Sequence, residues 1–180
     1  NADALIMYAK HSYKQRNFPE AIKFYNITLN NIKFNDNIRP KILENLAMAY
    51  EMNRNFSESK SCYEESLTSY KADTDEYMEC ILNMAGLYTK MAEHTKAIEL
   101  YEKALAYYEE KDLSMYYIEL LAKTYEKYAL LSLILNDFDG AKNCILKSIE
   151  YLEKFDNKET ETYKLSVYGS RSHLGQLYTN

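Results

Sequence analysis

The chain repeats one pattern of apolar, small and aromatic residues at intervals of about 38 positions. The clearest copy spans residues 81–105, ILNMAGLYTKMAEHTKAIELYEKAL, where apolar side chains recur three and four positions apart in two stretches. That spacing places them along one face of a helix in each stretch. The link from Met91 to His94 is so short that the two helices must be antiparallel neighbours. A single hairpin leaves apolar residues uncovered, so one hairpin is expected to stack on the next.

The register of the repeats follows from equivalent residues in the second helix of each hairpin. Phe18 and Phe56 are 38 positions apart, Ser59 and Ala97 are again 38 apart, and Ala141 follows Ala97 by 44. These intervals predict a single array that covers residues 1–180. Its hairpins are expected at about residues 3–34, 38–71, 75–110 and 113–154, with a ninth and last helix at 158–179.

The longer interval before the fourth hairpin indicates a longer first helix in that hairpin. No glycine or proline occurs between Asp112 and Asn136, so we predict a helix that starts near Asp112 or Ser114 and runs to Leu135. The chain begins with Asn1 rather than methionine. We therefore expect a fragment of a larger protein.

Composition excludes several classes of protein. Four glycines and two prolines among 180 residues are too few for a sandwich or barrel, so the fold is predicted to be all-α. The net charge of −5, with both signs interspersed, disfavours a nucleic-acid partner. No apolar run reaches the ~18 residues that a membrane helix needs. The sequence shows no signal peptide, and we expect a cytoplasmic protein.

The spacing resembles that of the tetratricopeptide repeat family, in a type with lengthened repeats. Family members have large, large, small and aromatic residues in the first helix and small, aromatic and small residues in the second. The residues that carry this resemblance are Ile81, Met84, Ala85, Tyr88, Ala97, Tyr101 and Ala104. The resemblance implies a right-handed α-solenoid of about four and a half repeats. It also implies that the first helices line a concave groove that holds a protein or peptide partner.

The groove face consists of first-helix positions outside the packing stripe. Asn45 and Asn83 are equivalent, 38 positions apart, and an amide side chain both donates and accepts hydrogen bonds, so it suits a clamp on a peptide backbone. We predict that Glu44 and Leu82 lie on the same face. The groove candidates are Lys10, Lys14, Asn45, Met48, Asn83, Gly86, Lys90, Lys123 and Lys127.

The elongated first helices of the fourth and fifth repeats suggest a second interface, since they would extend beyond the others. Tyr116, Tyr117 and Tyr163 lie in the added turns. Neighbouring residues of a helix point ~100° apart, so at least one tyrosine of the adjacent pair should stay exposed. Exposed aromatic residues favour interfaces, so one interpretation is that the chain forms a homo-oligomer through these helices. The alternative is that the added turns pack on each other.

No catalytic or cofactor motif is recognisable. The chain has no glycine-rich phosphate loop and no Ser/His or Cys/His cluster, so we expect neither an enzyme nor a cofactor. Cys62, Cys80 and Cys144 lie in helical patterns and are expected to be reduced core residues rather than metal ligands. Relatives that grip a C-terminal carboxylate use lysine and asparagine where this chain has Ile6 and Lys10, so that function is disfavoured.

Two functions remain open. One is a scaffold or adaptor that binds a segment of a partner protein. The other is a ligand-gated regulatory array, like the bacterial peptide-pheromone receptors, that controls a fused effector domain.

Overall fold

The computed structural model describes residues 2–33, 37–112 and 114–154, together with positions 164, 168, 169, 172 and 175. These residues form eight α-helices and no strand. The all-α repeat fold predicted from the sequence is therefore confirmed. The predicted ninth helix, 158–179, lies outside the described residues apart from those five positions. The helices are α1 (Ala2–Lys14), α2 (Phe18–Asn31), α3 (Arg39–Met52), α4 (Phe56–Ser69), α5 (Asp75–Lys90), α6 (His94–Glu109), α7 (Met115–Ile134) and α8 (Phe138–Leu152).

The same backbone turn joins each first helix to its second helix. Arg16, Arg54, Ala92 and Asn136 have φ angles of 60°, 63°, 59° and 60°. This left-handed conformation is uncommon for residues other than glycine. The four positions are 38, 38 and 44 residues apart, which are the intervals read from the sequence. The turn is thus a fixed part of the repeat.

Side-chain caps define where several helices begin. Asn17, Thr74, Ser114 and Asp137 each accept a hydrogen bond from the backbone N–H three residues further on, at 3.4, 3.4, 3.5 and 2.9 Å. Each cap satisfies one of the N–H groups that a helix start leaves without an intrahelical partner. The cap at Ser114 starts α7, the longest helix described, with 20 residues. The predicted elongated helix is confirmed.

The chain divides into two compact units, residues 1–91 and 92–180. In the first unit, α1 to α5 pack successively, each against the next in the chain. Small residues at equivalent sites allow this close approach, and Ala9, Ala47 and Ala21 are fully buried. Where the second helix α4 has serine instead of alanine, the hydroxyl bonds to α3. Ser59 Oγ donates to the carbonyl of Ala47 at 2.8 Å, and Ser66 Oγ donates to that of Pro40 at 3.0 Å.

In the second unit, α6 packs against α7 and α7 packs against α8. The same small positions recur there, since Ala97, Ala129 and Ala141 are almost completely buried. Tyr101 on α6 stacks on Tyr128 of α7, with ring centroids 5.7 Å apart and planes inclined by 16°. The packing stripes predicted from sequence therefore form the core of each unit.

Candidate functional site

A pocket of about 130 Å³ lies in the first unit, at predicted groove positions of two first helices. One helical face of α1 contributes side chains three and four positions apart, and α3 contributes two side chains that are three positions apart. The second helix α2 contributes one tyrosine. Four predicted groove residues, two from each first helix, are thus brought together. The pocket is lined by Lys10, Tyr13, Lys14, Tyr25, Asn45 and Met48.

Two tyrosines line the pocket. Tyr25 is 2% exposed, and burial, with a smaller effect of the neighbouring Tyr13, raises its pKa to about 12. The pKa of Tyr13 is also raised, first by burial and then by the charge of Glu51. Both phenols therefore stay neutral at physiological pH. They offer aromatic surface and uncharged hydroxyl groups to a ligand.

The lysines at this pocket lack the ion pairs that Lys41, Lys60 and Lys90 form in the first unit. Lys10 and Lys14 are exposed, and neither forms an ion pair with a residue in the described part of the chain. In contrast, the groove candidate Lys90 on α5 places its Nζ 2.5 Å from Glu51 Oε1. The positive charge of Lys90 is thus balanced internally, whereas that of Lys10 and Lys14 is not.

A shift of 38 residues relates this pocket to the next pair of first helices. Asn83 is the equivalent of Asn45, and Gly86 is the equivalent of Met48. Asn83 and Gly86 are both half-buried on α5. Tyr63 is the equivalent of Tyr25 and is completely buried on α4. The hydroxyl of Tyr63 has no hydrogen-bond partner among the residues that the structure describes. The amide and tyrosine positions therefore recur, while the methionine is replaced by the smallest residue.

The assignment of Glu44 to the groove face is wrong. Its side chain is 2% exposed; Oε1 accepts a hydrogen bond of 2.5 Å from the hydroxyl of Tyr70, and Oε2 lies 3.3 Å from Lys41 Nζ. Leu82, assigned to the same face, is also buried. Because α3 packs against both α2 and α4, seven of its fourteen residues are buried and only a narrow strip remains accessible. A helical projection overestimates the width of that strip.

The groove candidates of the second unit lie on α7. Lys123 is exposed and Lys127 is half-buried, four positions further along the same helix. This spacing puts both side chains on one face of α7. Within the second unit they remain candidates for a binding surface.

The tyrosines of the predicted second interface lie at the start of α7. Tyr116 is 45% exposed, while Tyr117 is half-buried, and their rings meet edge to face with centroids 5.1 Å apart. Tyr117 also faces Tyr108 of α6 at 6.4 Å. The prediction that one tyrosine of the pair stays exposed is confirmed. The third member, Tyr163, lies outside the described residues.

Sequence reasoning missed Tyr13 and Tyr25 as pocket residues, because tyrosines at helical spacing were attributed to core packing. Tyr25 does belong to the core of the first unit, together with Ala9 and Ala21. Tyr25 thus both belongs to this core and lines the pocket. The available signal was the position of Tyr13, one helical turn after Lys10 and beside Lys14.

Other site types find no support in the described parts of the chain. No three His, Cys, Asp or Glu side chains within them lie close enough together to hold a metal ion. None of their helices combines the length and apolar character that crossing a membrane requires. The three cysteines are free thiols, and burial, the largest effect, raises the pKa of Cys80 to about 12.

Solved structures resemble this fold across nearly the whole chain. The apo form of RapI has a TM-score of 0.76 at 14% identity, over 99% of this chain and 64% of that one. A Rap protein complexed with competence and sporulation factor has a TM-score of 0.71 at 19% identity, over 97% of this chain and 49% of that one. A kinesin light chain-like protein of Podosopora anserina, described as having nearly identical TPR-like repeats, has a TM-score of 0.70 at 13% identity, over 97% and 87%.

The comparison with family models agrees with these structures. No curated protein matches the chain significantly. The model described as tetratricopeptide repeat matches residues 38–110, which include α3, α4, α5 and α6. Residues 38–110 therefore match tetratricopeptide repeats, and the chain has an all-α repeat fold like that of these structures.

Proposed function

We propose that this chain is a protein-interaction module that holds an extended segment of a partner protein along its first helices. The observation that carries the proposal is the shared pocket, where Lys10 and Lys14 of α1 meet Asn45 and Met48 of α3. Ligand sites of this kind combine apolar walls with a few polar groups that fix orientation. The pocket has aromatic walls, one amide and two cationic groups.

The repeated asparagine suggests how a segment is gripped whatever its sequence. Asn45 and Asn83 are half-buried at equivalent positions of α3 and α5. A primary amide matches both the N–H and the C=O of a peptide backbone. Two such amides, spaced by one repeat, would bind the backbone at two points and leave the pockets to select side chains. The proposed role is that of a scaffold or adaptor rather than an enzyme.

A library of random peptides of about twelve residues, some 40 Å when extended, tests this proposal directly. We expect the immobilised chain to enrich a set of related sequences. For the best peptide, Asn45→Ala and Asn83→Ala should each raise Kd by about 5- to 30-fold, equivalent to about 1–2 kcal/mol for a lost buried hydrogen bond. The thermal midpoint should not move, because neither side chain belongs to a core cluster.

Asn31→Ala is the matched control. Asn31 is exposed on α2, where its Nδ2 donates to the carbonyl of Ile27 at 2.8 Å. This variant should leave Kd unchanged. Failure to enrich any peptide would refute the proposal. If Asn83→Ala unfolds the chain and leaves the affinity of the folded fraction intact, Asn83 is a structural residue instead.

A second form of the function is favoured by the Rap structure that contains competence and sporulation factor. In this form, a bound factor would change the arrangement of the repeats and thereby regulate a larger protein. The chain spans only 49% of that Rap chain, which leaves room for another domain in a protein of that size. Small-angle scattering with and without the selected peptide separates the two forms. An adaptor should keep its radius of gyration, whereas a ligand-gated array should change it.

A further inference from the structure

Two unpaired lysines of α1, Lys10 and Lys14, border the same pocket. Lys41, Lys60 and Lys90 each have a glutamate oxygen nearby, at 3.3, 3.9 and 2.5 Å. Lys10 and Lys14 have no such partner in the described residues. They lie one helical turn apart on the same face of α1. Like charges at this spacing repel each other. The chain as a whole is acidic, with a net charge of −5, so a cationic spot is not a consequence of composition.

The pocket beside these lysines has the size of one side chain. Its volume of about 130 Å³ equals roughly four water molecules at ~30 Å³ each. Tyr13, Tyr25 and Met48 supply apolar contacts for the methylene part of a ligand side chain. The ammonium groups of Lys10 and Lys14 supply donors for a negatively charged end.

We propose that the pocket formed by Lys10, Lys14, Tyr25 and Met48 selects an acidic side chain, Asp or Glu, within the bound segment. This inference rests on the proposed function and names the chemistry of its ligand. A carboxylate between the two lysines would relieve their mutual repulsion and accept hydrogen bonds from both. Its methylene groups would pack on the aromatic and thioether walls, and Asn45 would bind the adjacent backbone.

The acidic side chain would also determine which residue of the bound segment lies at this pocket. One repeat further on, Met48 and Met52 occupy the positions equivalent to Lys10 and Lys14, and Lys90 is already paired with Glu51. Among these equivalent first-helix positions of the first unit, an unpaired lysine therefore occurs only in α1. Asn83 offers a second backbone contact beyond this pocket, so the segment continues past it. The positions at which relatives grip a C-terminal carboxylate hold Ile6 and Lys10 instead, so the proposal assigns the carboxylate to a side chain.

Selection from a random library of acetylated and amidated peptides tests this inference, because such peptides carry carboxylates only on side chains. We expect wild type to enrich Asp or Glu at one fixed position. The charge-reversed variant Lys10→Glu, Lys14→Glu should enrich Lys or Arg at that position. Lys23→Glu, Lys33→Glu is the matched control: both lysines are exposed, form no ion pair in the described chain and lie outside the pocket, so its acidic preference should persist.

A second measurement does not depend on the folding of a charge-reversed variant. Replacing the selected Glu or Asp by Gln or Asn in the best peptide should raise Kd for wild type by about three- to tenfold, as expected for exposed or partly exposed ion pairs. The effect should shrink at high salt, where the screening length falls to ~3 Å. Lys10→Gln, Lys14→Gln should make the two peptides bind within about twofold of each other.

The outcomes separate this inference from the proposed function. Enriched peptides without an acidic position would overturn the inference and leave peptide binding intact. Binding of peptides with a free C-terminus only would overturn it in favour of a terminal carboxylate. If no peptide of either kind is enriched, the proposed function fails as well.

Discussion

Tyr70→Phe removes one hydroxyl group from the contact that holds the start of α3 to the end of α4. Tyr70 follows the last residue of α4, and its hydroxyl lies 2.5 Å from Glu44 Oε1. The carboxylate is 2% exposed, so water has almost no access to replace the lost donor. Lys41 still reaches the other oxygen at 3.3 Å, but its own side chain is 60% exposed. The variant therefore leaves a buried carboxylate with one weak partner.

The expected loss of stability is about 2 kcal/mol. A hydrogen bond to a charged group contributes about 1.5–3 kcal/mol, and the upper end applies when the remaining group stays buried. Tyr70 itself is only half-buried, so its hydroxyl is partly accessible to water. The expected loss of stability therefore lies near the middle of this range. In a double-mutant cycle with Glu44→Gln, we expect a coupling energy of at least about 1 kcal/mol.

Urea unfolding followed by far-ultraviolet circular dichroism measures this loss. Tyr13→Phe is the control, since the hydroxyl of Tyr13 forms no hydrogen bond within the described residues and its removal should change stability by less than about 0.5 kcal/mol. Hydrogen exchange should show the largest loss of protection in α3 and α4, because each repeat depends chiefly on its neighbours. If Tyr70→Phe and Tyr13→Phe have equal effects, the buried contact does not stabilise the fold as argued here.

Three further predictions follow from the turns, the thiols and the tyrosine pair. Ala92→Gly should stabilise the chain by about 1 kcal/mol because it relieves a left-handed backbone, whereas Asn136→Gly should have little effect since asparagine tolerates that conformation; urea midpoints compare the two. Burial raises the pKa of Cys80 from 9.0 to about 12, so the stability contributed by its neutral thiol is present below pH 9 and is lost as the pH rises towards 12. Wild type should therefore lose about 2 kcal/mol more than Cys80→Ala between pH 8 and pH ~10.5, and equal losses would contradict this. Tyr117→Ser should lower stability by about 2 kcal/mol because its ring faces Tyr108, while Tyr116→Ser should change it by less than about 0.5 kcal/mol. Sedimentation of the Tyr116→Ser, Tyr117→Ser double variant shows whether this surface supports self-association.

The repeat fold was predictable from the sequence because its determinants are local and recur. Helical spacing predicts the stripes, and the intervals of 38, 38 and 44 residues locate equivalent sites. The buried alanines at positions 9, 47 and 21 are visible in the sequence as small residues within those stripes. The left-handed turn could not be predicted, since Arg16, Arg54 and Ala92 are not residues that favour it.

The candidate site was predictable only in part. The pairing of Lys10 and Lys14 with Asn45 follows from the repeat geometry, because equivalent faces of neighbouring first helices point the same way. The burial of Glu44 depends on Tyr70, which lies 26 positions away and outside any helical period. Its environment is set by the loop between α4 and α5, and a helical projection contains no information about that loop.

The additional residues of the 44-residue interval have a defined location in the structure. The last residue of α5 precedes Ala92 by two positions, and the last residue of α7 precedes Asn136 by two, so the turn side of the helix is unaltered. The additional residues therefore lie at the N-terminal side, where α7 has 20 residues against 16 in α5. Counted back from the turn, Lys127 is equivalent to Asn83, so the amide that recurs in α3 and α5 is replaced by a cation in α7. The added turn thus leaves the register of the candidate groove positions unchanged, and Tyr116 and Tyr117 lie within that added turn.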